Sequence, residues 1–393
     1  MDTYPATERV GVQTGGQKNT RLLRQLSARC VALQLAFEIV FPDGAKHLVG
    51  SGCPEFRIVL HNSRAMRAFA SLNEIQVAKS YFNGDFDFEG DMLRALGIRQ
   101  LLDDPVLVLR IWRFLQPLLL GQTRLNKQAI ASHYDSDPQL FSMFLDPEMP
   151  IYTHGVYESD DETLATAGER KFEYCFSRLR LKRGDHVLEV GPGWGAWLRY
   201  ASDRGIACTG ISISRSSLEY LSGLAEQGGY HWDLVFSDLL EFEPKTQFDA
   251  VVMMGVIEHL PEYQKVLTKL ASLVKPGGRI YLDGGSCRTN EELSSVIANY
   301  IYPGNHALLD LPRFMQAMSK TELHLLEAIN DRHSYYLTFV QWARNLERSR
   351  HEITQKFGEA LYRKFLIFFW GFAYAMNTRA VDCYRMIIEK PEN

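Results

Sequence analysis

The chain has 393 residues, 46% of them hydrophobic, and a formal net charge of -4. At roughly 150 residues per domain that length fits two domains with cores of their own, and the weak negative charge argues against nucleic acid as the main partner. Six cysteines at 30, 53, 175, 208, 287 and 383 show neither paired spacing nor a C-x-x-C, which suggests free thiols and a reducing, cytoplasmic setting.

Residues 1–20 are polar, without the apolar stretch of a signal peptide, and read as a disordered lead. A small α/β unit is expected next. Val31 to Val40 and Phe56 to Leu60 have strand-like patterns, Ala65 to Leu72 and Glu74 to Tyr81 look helical, and Asn83-Gly84-Asp85 marks a turn. Val106 to Leu120 is strongly apolar, with Arg110 and Arg113 set among its aliphatic and aromatic residues. It suits either the surface of an anionic membrane or an interdomain helix, and Pro117 would break a long helix there. Residues 121–130 read as a linker. The apolar run from Phe365 to Met376 is too short for the roughly 20 residues of a membrane span and reads as a core helix.

Residues 131–165 are dense in aromatic and hydrogen-bonding side chains, including Tyr152, Thr153 and His154. Such a mixture ahead of a sheet suggests a cap over a ligand. The sheet opens with Val187-Leu188-Glu189-Val190, which runs into Gly191-Pro192-Gly193-Trp194-Gly195. Glycines let the backbone turn sharply and let a ligand lie against it, and a helix starting near Ala196 would point its free N–H groups at the same place. Cys208 to Ser214 reads as a second strand, with Ser212 and Ile213 at the ribose position. Leu234 to Asp238 reads as a third, with Asp238 followed by Leu239 beside an adenine. Phe248 to Gly255 reads as a fourth strand, Pro261 to Val274 as a helix, and Lys275-Pro276-Gly277-Gly278 as a turn into Arg279 to Asp283. Strands alternating with helices at this spacing predict a doubly wound, mostly parallel sheet. The stretch from 284 to 330 is too long for an ordinary connection and reads as a helical substrate lid. A helix from Gly358 to Met376 and a strand from Val381 to Ile388 end the chain.

The glycine spacing misses the G-x-G-x-x-G of dinucleotide sites, because Ala196 fills the third slot, and no Gly-Lys-Ser/Thr follows as in a P-loop. S-adenosyl-L-methionine remains. It has no phosphate to cradle, and its cationic end suits the carboxylate of Glu189.

Several motifs in register resemble the cyclopropane fatty acid synthase family, including the mycolic acid cyclopropane synthases. They are His133-Tyr134-Asp135, Phe144-Leu145-Asp146-Pro147, Tyr152-Thr153, Glu158 with Asp160-Asp161 and Thr163-Leu164, the glycine turn, Glu258-His259, and Tyr335 with Trp342. Ala78 to Asp87 resembles part of the N-terminal domain of the bacterial synthases. The resemblance implies a seven-stranded Rossmann-like methyltransferase sheet over 121–393 and a lipid-handling domain over 21–120. It also implies methyl transfer to a carbon–carbon double bond of an unsaturated acyl lipid or other hydrophobic small molecule. A homodimer and peripheral contact with the inner membrane face stay open. In the family a bicarbonate ion removes the final proton.

At the positions that hold that ion, Glu258, Tyr335 and the backbone of Gly255 match. His154 replaces a cysteine and Asp283 a histidine, Gly285 stands at a nearby isoleucine position, and Phe372 stands where the family has a cysteine in its penultimate helix. A carboxylate at Asp283 should repel bicarbonate unless His154 is protonated. The catalytic candidates are therefore His154, Glu258 and Asp283, acting as base or as stabiliser of a cation, with Tyr335 beside them. Tyr335 rather than Tyr336 should face the pocket if the two lie in a strand. The cofactor candidates are Tyr152, Thr153, Glu189, Gly191, Gly193, Gly195, Ser212, Ile213, Asp238, Leu239 and Gly255. Two rivals are methylation of a non-lipid small molecule or amine, and a catalytically dead lipid-binding protein.

Overall fold

The computed structural model describes residues 17–33, 35–103, 138–287 and 308–392, with positions 296 and 300 between the last two stretches. The chain divides into two compact units, Met1–Asp103 and Asp104–Asn393. The expected segments at 106–120 and 121–130 and the motif at 133–135 lie outside the described residues.

In the first unit a helix, Gln17–Leu33, precedes a four-stranded sheet of β1 (Phe37–Val40), β2 (Lys46–Val49), β3 (Phe56–Leu60) and β4 (Phe86–Gly90), in the order β2-β1-β3-β4. Alternation places Phe56, Ile58 and Leu60 inside, and Phe37 stacks on Phe56 at 5.0 Å. Helices Ser63–Ala70 and Glu74–Phe82 start where the Asn62 and Asn73 side chains accept from backbone N–H groups of the first turn. Two expectations are corrected. The helix begins at Gln17, inside the supposed disordered lead, and it runs to Leu33, so only Phe37–Val40 of the expected Val31–Val40 strand is strand. A short apolar run carries no period long enough to tell the end of a helix from the start of a strand.

The second unit is built on seven strands: β5 (His186–Val190), β6 (Ala207–Ser212), β7 (Asp233–Phe236), β8 (Phe248–Met254), β9 (Val274–Cys287), β10 (His324–Asn330) and β11 (Val381–Glu389). Their order is β10-β11-β9-β8-β5-β6-β7. β11 runs antiparallel to both neighbours, and the other described pairs are parallel. The central strands are apolar on both faces, as covered parallel strands must be. Leu188, Val251, Met253, Ile280 and Leu282 pack on one side, and Val187, Ala250, Val252 and Tyr281 on the other. Lys275–Gly278 does not separate two elements as expected. It lies within β9, with Gly277 at φ 76° and a register shift opposite Phe248 and Ala250.

The supposed lid also shrinks. β9 continues to Cys287, helix Leu311–Met318 buries Phe314 and Met318 in the core, and His324–Asn330 is a sheet strand rather than lid. The C-terminal helix, Glu359–Asn377, buries Phe365, Leu366, Phe368, Phe369 and Phe372. Among the described residues no helix is long and apolar enough to cross a membrane.

Candidate active site

The chain leaves β5 for β6 and β7 on one side of the sheet, then returns to β8 on the other. A cleft forms at such a switch point, beyond the carboxyl ends of the strands. Gly191, Gly193 and Gly195 turn there with φ of 72°, 52° and 78°, all in the left-handed region that favours glycine. A Cβ on Gly191 would stand 2.7 Å from Val256 Cγ2, whereas one on Gly193 would meet nothing within 4 Å. Ser217 Oγ donates to the Gly193 carbonyl at 2.9 Å and pins the turn. No motif pointed to Ser217.

Ten of the eleven cofactor candidates line this cleft. Tyr152 and Thr153 come from the segment before the sheet, and Glu189, Gly191 and Gly193 from the end of β5. Ser212 and Ile213 follow β6, Asp238 and Leu239 follow β7, and Gly255 follows β8. Gly195 does not line it. It caps the start of helix Ala196–Ser202, where its missing Cβ makes room for Leu221 Cδ2. His259 also lines the cleft.

Glu189 is 4% exposed, and its Oε2 is buried without a hydrogen-bond partner. Burial pushes its carboxyl up to about 8. A buried carboxyl with an empty acceptor at the floor of a cleft is set to receive a positive charge. A sulfonium cofactor with an amino acid end supplies one, so these residues fit S-adenosylmethionine. Asp238 is partly committed, with Oδ1 accepting from Leu240 N–H at 2.9 Å.

Beside the cleft lies a closed cluster of buried charge. Asp283, on β9 and fully buried, faces Lys171 Nζ at 2.7 Å, and Lys171 too is fully buried. Asp283 Oδ1 accepts from the Thr153 hydroxyl at 3.1 Å and from Gly255 N–H at 3.0 Å, and Lys171 donates to Thr153 Oγ1 at 3.1 Å. Burial would raise the Asp283 carboxyl, but Lys171 beside it prevails and holds it below the usual range. Asp283 is thus an anion compensated by Lys171.

His154 is equally committed. Its Nε2 lies 3.1 Å from Asp331 Oδ2 and its Nδ1 3.6 Å from Cys383 Sγ. Burial, assisted by Lys171 and opposed by Asp331, lowers its proton affinity, so the ring is neutral near neutrality with both nitrogens engaged. Both side chains are thus held by partners within the cluster. Tyr335 lies not in a strand but in helix Arg332–Arg348. Its ring sits 5.3 Å from that of His154 and 4.6 Å from Phe339, which stacks at 5.1 Å on Phe372. Phe372 therefore extends an aromatic stack where the family pattern has a cysteine.

Glu258 differs from both. It lies in a single 3-10 turn, Ile257–His259, just after β8. Its Oε1 accepts from Gly285 N–H at 2.7 Å, while its Oε2 is buried without a partner. A Cβ on Gly284 would come within 2.9 Å of the Glu258 carboxyl carbon, so glycine there keeps the space this side chain fills. Burial pushes the carboxyl up to about 7, partly offset by backbone N–H donors. That value suits a general base at neutral pH.

A seven-stranded sheet with one reversed strand, a glycine turn at its switch point and a buried acid below it define a nucleotide-binding α/β enzyme of the methyltransferase type. Residues 122–386 match the family model described as "Mycolic acid cyclopropane synthetase", and the chain belongs to that family of S-adenosylmethionine-dependent methyltransferases. A "Sphingolipid C9-methyltransferase" of Candida albicans is 25% identical over 335 residues, covering 80% of this chain and 65% of that protein. A "Probable fatty acid methyltransferase" of Pseudomonas putida is 24% identical over 387 residues, covering 94% and 96%. Among solved structures, the cyclopropane synthase MmaA2 from Mycobacterium tuberculosis shares the fold, with a TM-score of 0.62 and 21% identity over 67% of this chain and 97% of that one.

Proposed function

We propose that the protein transfers a methyl group to a carbon–carbon double bond of an unsaturated acyl chain and that Glu258 removes the resulting proton. The observation that carries this reading is the second carboxylate oxygen of Glu258, buried, unpartnered and poised near neutral affinity, three residues beyond the cleft-lining Gly255. S-adenosylmethionine supplies the electrophilic methyl. As the alkene π electrons form the new carbon–carbon bond, S-adenosylhomocysteine leaves and the neighbouring chain carbon becomes cationic. Glu258 then takes one proton. If the proton comes from the new methyl, its bonding electrons close a cyclopropane. If it comes from the chain, they restore an alkene that carries a methyl branch.

An alkene is a weak nucleophile, so placement of the chain against the methyl carries much of the catalysis. The relatives named for fatty acid and sphingolipid methylation support an acyl substrate. The first unit, which resembles the lipid-handling part of the bacterial synthases, is proposed to present the lipid. With Glu258 as the base no bicarbonate is required.

Incubation with labelled S-adenosylmethionine and a membrane lipid extract tests the reading. Label should enter acyl chains with a gain of one CH2 unit, and fragmentation would separate ring from branch. Label confined to amines or small molecules overturns the lipid assignment, and absence of cofactor binding by calorimetry favours a dead enzyme. Full dependence of turnover on added bicarbonate would remove Glu258 as the direct base.

A further inference from the structure

Lys171 belongs to none of the motifs and does not line the cofactor cleft. It lies on helix Leu164–Arg178 between turns that bury Ala167, Phe172 and Cys175, and it is among the largest fully buried side chains of the chain. Lysine is almost never fully buried unless paired. A buried ion pair is also a poor way to gain stability, since apolar side chains of similar volume often do as well or better. The Lys171–Asp283 pair therefore calls for another reason.

Its surroundings supply one. Asp283 Oδ1 holds the Gly255 amide, the residue that opens the turn to Glu258, while two positions along β9 the Gly285 amide holds Glu258 Oε1. Thr153, which bridges Lys171 and Asp283, lines the cofactor cleft as Gly255 does. The cluster thus fastens the cleft wall and the start of the turn that carries Glu258, while β9 fastens the Glu258 side chain itself.

We propose that Lys171 is a positioning residue for the methyl transfer: paired with Asp283, it cancels the charge beside Glu258 and fixes the Gly255 turn from which Glu258 projects. Among the described residues, the titratable groups acting on Glu258 include Asp283 on β9, which raises its proton affinity, and Lys171, which lowers it. Cys383 on β11 lies within the same field, its thiol pushed up by burial, and His154 beyond it feels both members of the pair. Removing the cation alone or the anion alone should therefore move Glu258 in opposite directions. Removing both should nearly restore it.

The test uses Lys171→Met, Asp283→Asn and the double variant in the full-length protein. The Glu258 carboxyl is titrated by carbon NMR without cofactor, and kcat and KM are followed against pH. Lys171→Met should raise the Glu258 midpoint by about one pH unit and lower kcat near neutrality about tenfold, with the KM for lipid little changed. Asp283→Asn should lower the midpoint, and the double variant should return it to within a few tenths of a unit of the wild type. Midpoints that stay put while only thermal stability falls would reduce the pair to a structural ion pair. Shifts of the same sign in both single variants would overturn the proposal as well. Should Lys171→Met fail to fold, Asp283→Asn and the double variant still fix the sign. The NMR titration needs no substrate, so it judges this proposal even if the lipid reading fails.

Discussion

The cofactor corner and the charge cluster beside it are both buried and polar, yet they are finished to opposite degrees. At the corner Glu189 keeps an empty acceptor and the glycine turn leaves open space over Gly193. In the cluster Lys171, Asp283 and Thr153 bond to one another, and His154 has a partner at each nitrogen. An unsatisfied buried group is costly and persists where a ligand completes it, whereas a closed network holds its neighbours rigid. Glu258 stands between the two, with one oxygen fixed by Gly285 and one free. Chemistry is expected where those conditions meet.

The largest effect that would break this contrast is at Glu258. Glu258→Gln keeps the acceptor for Gly285 N–H and removes the base, so kcat should fall by about a hundredfold or more, with cofactor affinity changed little. In the wild type kcat should rise as pH passes through about 7, where the carboxyl loses its proton. Stability follows the opposite course. The folded protein holds this proton more tightly than the unfolded chain, whose ordinary value is 4.5. Stability is therefore lost as pH climbs from that value to about 7, and the Gln variant should flatten this part of the curve. A kcat that survives in Glu258→Gln, measured at saturating lipid, would move the base elsewhere.

A smaller effect is expected at the corner. Gly191→Ala would force a positive φ on alanine and drive its Cβ towards Val256. Cofactor affinity by calorimetry should drop about tenfold, with stability lower by ~1–2 kcal/mol. The deep partner of this turn is Glu189. A bound cation favours its ionised form, so wild-type affinity should rise from about pH 6 to about pH 7.5, as the carboxyl approaches its value of about 8. Glu189→Gln should abolish that slope. A pH-independent affinity in the wild type would mean that the cation sits elsewhere.

The two regions also differ in how far the sequence alone reveals them. The corner is local: strand, glycine turn and helix start follow within some fifteen residues, and each leaves its mark in residue type. The alternation of strands and helices likewise marks a mostly parallel, doubly wound sheet, though not the order of its strands. The cluster is assembled across the chain. Thr153 and Asp283 lie 130 residues apart, and His154 and Asp331 lie 177 apart. Lys171 occupies an ordinary amphipathic helix, where a lysine reads as solvent-facing, and no periodicity marks it as buried. With its cation hidden, Asp283 looked like a bare charge that would repel an anion and a candidate base. Lys171 supplies the compensating cation that the sequence hides. Tyr335 was misplaced for a related reason, since neighbouring aromatics suit a strand or a buried helix equally. Its face is set by packing on Phe339 and His154.

The smallest effect belongs to His154, and it separates a closed cluster from a reactive one. The side chain is fully buried between Asp331 and Cys383, and burial keeps it neutral. If the ring only braces the site, His154→Gln should keep kcat within a few-fold, because the amide can still donate towards Asp331. The cost should appear in stability instead. Lost packing and a weaker hydrogen bond are expected to take ~1–3 kcal/mol in denaturant titration. The pH–rate profile should keep its midpoint near that of Glu258, since no proton of the reaction passes through the ring. A hundredfold loss of kcat with unchanged stability would make His154 a participant, and the finished half of the site would then hold reactive chemistry that its geometry hides.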